Sequence, residues 1–124
     1  MYNYRHFSHL YAQGERFDMT FTERYTPFSP EQMLDVHLNI RDVETGRYMV
    51  TETLINRSSG SAFDQWVAMG AVELTEPAEQ ETLAARSVPA ITKYTASAED
   101  GVLRLDAMLD MLEVRLIHII KTSL

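Results

Sequence analysis

The chain has 124 residues, 18 Asp and Glu against 11 Lys and Arg for a formal net charge of −7, no cysteine, and 45% hydrophobic residues. That length fits one domain, 1–124, able to bury roughly two thirds of the surface its unfolded form exposes. The lack of cysteine excludes a disulfide framework, a thiolate metal site and a cysteine nucleophile. An acidic chain with scattered cations has no basic stripe to displace counterions from a phosphate backbone, so direct nucleic-acid contact is not expected. No apolar run approaches the roughly 20 residues of a membrane span, and Met1–His6 does not read as a signal peptide; a cytoplasmic protein without membrane contact is the expectation.

Taken in chain order, Met1–Phe7 alternates aromatic and polar residues (Tyr2, Tyr4 against Asn3, Arg5) and reads as a strand that begins abruptly, as a fragment of a larger protein would. Between Ser8 and Pro30 no helical period is present, and Gly14, Pro27 and Pro30 interrupt any long element; short strands are expected at most near Met19–Tyr25. Met33–Arg41 is the clearest strand. Leu34, Val36, Leu38 and Ile40 face one way and Asp35, His37, Asn39 and Arg41 the other. Asp42–Gly46 reads as a turn, and Arg47–Ile55 as the hairpin partner that returns beside it.

A short helix is predicted over Ala62–Met69, with Ser61 as cap, Asp64 at its third position to satisfy exposed amides, and Gly70 as its left-handed stop. Phe63, Trp66, Val67 and Gly70 share one face, which should pack on the sheet or on a neighbouring domain; Trp66→Ala would cost about 3–5 kcal/mol if that face is buried. A second helix is predicted over Glu76–Arg86, with Pro77 in its first turn and Pro89 preventing continuation. Ile91–Ala96, Val102–Ala107 and Leu112–Ile120 read as strands, the first two joined through the Asp100-Gly101 turn. About six strands and two short helices make a mainly β chain, and the expectation is one antiparallel β-sandwich.

The residues that could carry chemistry are sparse. His6 and His9 are three apart, but zinc needs three or four converging ligands, and His37 and His118 stand without a companion motif; no metal and no cofactor is expected. The carboxylates read as a solvated surface rather than an acid/base pair. Glu76, between Thr75 and Pro77, opens a helix, and a capping role explains it. Ser58-Ser59-Gly60-Ser61 lacks the lysine and glycine spacing of a phosphate-binding loop. The aromatic residues of the first 28 positions fit a core or domain interface better than a sugar platform.

The run from Ile55 to Gly70 resembles a motif of glycoside hydrolase family 39, the β-xylosidase and iduronidase-like family. The residues that carry the likeness are Asn56, Arg57, Gly60, Ser61, Phe63, Asp64, Trp66 and Gly70, with Ser87-Val88-Pro89 and the strand Leu112–Ile117 in agreement downstream and Asn3-Tyr4 resembling the family's strand leaving its barrel. The resemblance implies a non-catalytic C-terminal β-sandwich whose partner is a (β/α)₈ barrel in the same parent chain. The two catalytic glutamates of the retaining mechanism would lie on barrel strands. No catalytic role passes to Glu76, and a sugar ligand would sit at the interface of the two domains. The stretch Tyr11–Phe28 is more similar to versions of the module fused to AraC-type transcription regulators, which makes a sugar-sensing regulator the expected parent. A β-xylosidase-type enzyme or a free-standing carbohydrate-binding module are the alternatives, and a homo-oligomer is compatible with each.

Overall fold

In a computed structural model the residues described are 1–14, 24–28 and 32–122. The chain is mainly β, with five antiparallel strands: β1 (Leu34–Arg41), β2 (Gly46–Ile55), β3 (Ala90–Glu99), β4 (Val102–Leu109) and β5 (Val114–Lys121). The helices are α1 (His9–Ala12), α2 (Ala62–Ala68) and α3 (Pro77–Arg86). All five strands belong to one curled sheet of order β1-β4-β3-β2-β5.

The register explains the curl. β3 and β4 pair only beside their turn, at Ala98↔Leu103 and Glu99↔Val102, after which β4 runs along β1 and β3 along β2. Asp100 and Gly101 both have positive φ, 52° and 74°, the sense of twist that tight hairpins need. A β1/β4 ribbon thus folds over a β3/β2/β5 ribbon, joined at this corner. The core is the space between them: Leu103 and Leu105, with Leu38 and Ile40 beside them, meet Tyr48, Val50 and Ala98, flanked by Tyr94, Ile117 and Ile119. The two-residue period places Val36, Leu38 and Ile40 on this inner face and Asp35, His37, Asn39 and Arg41 outside, as the sequence pattern requires.

Three expectations are corrected. β2 does not return beside β1. Arg47–Ile55 lies between β3 and β5, while β1 pairs with β4 from Leu34↔Leu109 to Arg41↔Val102. A turn between two alternating runs resembles a hairpin locally, but the apolar inner faces of β1 and β4 select a distant pairing. Met1–Phe7 is not a continuous strand, and among the described residues it makes bridges only at Tyr2↔Val114 and Phe7↔Phe28. The described strands therefore number five rather than about six. The short strands expected near Met19–Tyr25 fall mostly outside the described residues.

Both longer helices form where their end signals place them. Ser61 caps α2, accepting from the Asp64 amide at 3.3 Å. Its C-terminus closes with the paired bonds Gly70 N–H to Val67 O (3.0 Å) and Ala71 N–H to Trp66 O (3.0 Å) around a Gly70 φ of +98°, the left-handed helix stop. Glu76 caps α3, and its amide donates to Glu79 Oε2 at 3.2 Å. The capping role assigned to Glu76 is the one the structure gives it. No helix among the described residues is long and apolar enough to cross a membrane.

Candidate functional site: a polar clasp beneath helix α2

Polar side chains converge where β2 leaves the sheet and enters α2. Asn56 organises the connection: its Oδ1 accepts from the amides of Ser58 and Ser59, both at 2.9 Å, and its Nδ2 donates to Glu113 Oε1 at 3.0 Å. Gly60 follows with φ +81°, and a Cβ there would lie 3.3 Å from the Ile55 side chain and 3.4 Å from the Pro89 backbone. The loop therefore needs glycine for both conformation and space.

Asp64, 8% exposed, is the centre of the clasp. Its carboxylate accepts from Ser61 Oγ (2.5 Å), Arg24 Nε (3.0 Å) and Tyr25 Oη (2.7 and 2.8 Å to its two oxygens), and Arg24 also forms an ion pair with it. Burial alone would push the carboxyl up, but hydrogen bonds from Ser61, Arg24 and Tyr25 and the Arg24 charge outweigh it and hold Asp64 below the usual aspartate range. Burial and the neighbouring Asp64 carboxylate together raise the Tyr25 phenol. Arg57 lies over the Tyr25 ring, 5.1 Å from its centre, and reaches Asp110 at 3.6 Å. A cleft of about 170 Å³ opens here, lined by Tyr25, Asn56, Arg57, Ser61 and Asp64 among others.

A second polar line enters the core. Glu113, 2% exposed, is held by Asn56 and by Arg115 (Nε to Oε2 2.9 Å); Arg115 also faces Glu52 at 3.5 Å, to which Tyr94 Oη donates at 3.2 Å. Glu113 and Glu52 flank a shared arginine, and such pairing fixes geometry rather than poising a nucleophile beside an acid. Asn3, 4% exposed, adds its Nδ2 to the carbonyls of Leu109 and Asp110 at 3.2 and 2.9 Å. Among the described residues no three His, Asp or Glu side chains converge as metal ligands would.

The motif residues thus separate into two groups. Asn56, Gly60, Ser61 and Asp64 build the clasp, with Arg57 at its edge. Phe63 and Trp66 line an apolar groove of about 270 Å³ between α2 and α3, completed by Ala62, Leu74 and Leu83, and the clasp's Arg24 lies over the Phe63 ring, 5.7 Å from its centre. Phe63 is 48% exposed, Trp66 is half-buried, and the Trp66 indole donates to Val72 O at 2.8 Å. The apolar face of α2 meets α3 rather than the sheet, which lowers the cost expected for Trp66→Ala below that of a buried tryptophan. Arg24, Tyr25, Glu113 and Arg115 are the partners that sequence reasoning missed. For Glu113 and Arg115 a signal was present: two charges two apart in an apolar strand, on the parity of Ile117 and Ile119, must share the inner face.

No protein-family model matches the chain, and no curated relative is detected by sequence. In structure it is similar to the GH39 enzyme from Xanthomonas axonopodis pv. citri, with a TM-score of 0.60 and 15% identity over 81% of this chain and 20% of that one. It is likewise similar to a monomeric beta-xylosidase from Caulobacter crescentus, with a TM-score of 0.57 and 18% identity over the same shares. The chain accordingly has the fold of a segment amounting to one fifth of these enzymes, a likeness of architecture.

Proposed function

We propose that this chain is the non-catalytic β-sandwich domain of a longer glycoside hydrolase family 39-like protein, and that its task is to brace a (β/α)₈ barrel and shape the rim of that barrel's sugar pocket. The observation that carries this reading is the asymmetry of the likeness, 81% of this chain against 20% of each enzyme. The chemistry of the clasp agrees with it. Asp64 and Glu113 are buried and held by several donors, a condition that suits carboxylates which fix a loop and not ones which exchange protons with a substrate. The half-open α2/α3 groove and the exposed Tyr2, Tyr4 and Phe7 supply apolar surface for a barrel to cover.

The two neighbours named above are described as enzymes, which favours a β-xylosidase-type parent over the AraC-type regulator suggested by Tyr11–Phe28. The source reading frame tests this directly. A barrel with two strand-end glutamates and no helix-turn-helix makes the parent a glycosidase; a helix-turn-helix makes it a regulator; a frame of this domain alone overturns the accessory reading. The 124-residue chain should not hydrolyse aryl xylosides, and activity abolished by Glu76→Gln would refute the non-catalytic assignment.

A further inference from the structure

The two edges of the sheet are unequal. β5 is an edge strand, but its first residues are already paired on the outer side: Arg115 N–H donates to Met1 O at 2.8 Å, the Met1 amine donates to Arg115 O at 2.6 Å, and Asn3 N–H donates to Glu113 O at 3.0 Å. The bridge Tyr2↔Val114 is antiparallel. Because Arg115 directs both backbone groups to Met1, strand alternation directs those of Ile117 and Ile119 to the same side, away from β2. The Thr122 N–H, of opposite parity, donates inward to Arg47 O at 2.9 Å. Among the described residues nothing pairs with that side of β5 beyond Arg115, although its side chains are mostly apolar and Leu116 is 65% exposed. An open apolar edge of this kind is a template for another strand.

We infer that this edge receives the polypeptide that leads into Met1 in the parent protein, as a sixth strand antiparallel to β5. This rests on the reading of the chain as part of a longer protein, and its independent support is the ladder already begun by Met1–Asn3. Continuing that register sets the first residue before Met1 opposite Leu116, the second opposite Ile117 and the fourth opposite Ile119. The second and fourth then share the inner face with Ile117 and Ile119 and extend the core; the first and third lie on the outer face beside Leu116 and His118. The second and fourth also direct their amides to β5, as Met1 does.

The test compares the 124-residue chain with the same chain extended by the six residues that precede Met1 in the source gene, reading amide hydrogen exchange at Ile117 and Ile119 by NMR. Extension should slow exchange at both amides by about 100-fold or more. Proline at the second residue before Met1 should abolish the protection of Ile117, whereas proline at the first, whose amide points outward, should preserve it. Equal exchange rates with and without the extension overturn the inference and leave the accessory-domain reading intact. Protection that instead rises with protein concentration in the unextended chain assigns the edge to a second copy and also overturns it. A reading frame that opens at Met1 overturns the inference, and one that holds this domain alone overturns both readings together.

Discussion

Asp64 shows how one buried carboxylate can tie a short segment to a helix. Its oxygens are shared among Ser61, Arg24 and Tyr25, so Asp64→Ala removes a helix-end anion and takes a buried acceptor away from all three. The expected loss is about 2 kcal/mol, read from chemical denaturation. Since Asp64 is held below its unfolded range, it contributes stability above the unfolded aspartate pKa of about 3.9, and that contribution disappears as pH falls through the lower folded value. His37 has the opposite sign. On the outer face it lies between Asp106 (2.6 Å) and Asp35 (3.2 Å), and the Asp106 hydrogen bond and the two carboxylate charges raise its pKa. What it contributes is present below the unfolded histidine value of about 6.5 and is lost as pH rises through the folded one. NMR titration should place His37 above that value, and Asp106→Asn should bring it down; a titration unchanged by Asp106→Asn would remove the assigned cause.

At the scale of elements, α2 and its loop were legible because their signals are local: a serine cap, an acidic third residue and a glycine stop lie within ten positions. Gly60 belongs to the same set, and Gly60→Ala should cost about 1–2 kcal/mol through its left-handed backbone alone, with the crowding by Ile55 and Pro89 adding to it. The destination of the apolar α2 face was not legible, since periodicity gives a face but not its partner. In the isolated chain Trp66→Ala should cost less than the roughly 3 kcal/mol of a buried tryptophan. If a barrel covers the groove in a longer parent, as proposed, the same substitution should cost more there, and equal costs in the two would argue against that covering. The pairing of β1 was illegible for a related reason. Alternation fixes which side chains point inward, but either β2 or β4 satisfies it, and only the packing of Leu38 and Ile40 with Leu103 and Leu105 decides. The clasp partners Arg24 and Tyr25 lie about 40 positions from Asp64, beyond the reach of any spacing rule.

For the molecule as a whole, the outer face of the β3/β2/β5 ribbon carries Ile91 and Leu116 on either side of Thr53 and Ile120 beside Met49, the three aliphatic residues each more than half exposed. Self-association of the free domain through this face is expected, and Leu116→Lys should reduce it in sedimentation experiments while changing stability by no more than about 0.5 kcal/mol. The corner between the two ribbons has a kinetic meaning. Only β3 and β4 are joined by a tight turn; β2 meets β3 after both longer helices have intervened, and Leu34 must find Leu109 and Tyr48 must find Lys121 across most of the chain. Such long closures place the domain among slow folders, in the range of milliseconds to seconds. During synthesis β1 and β2 leave the ribosome well before the strands that complete them. The apolar face of β1 waits through the translation of about sixty residues, from Arg41 to Val102, and the Asp100-Gly101 corner is the event that ends the wait.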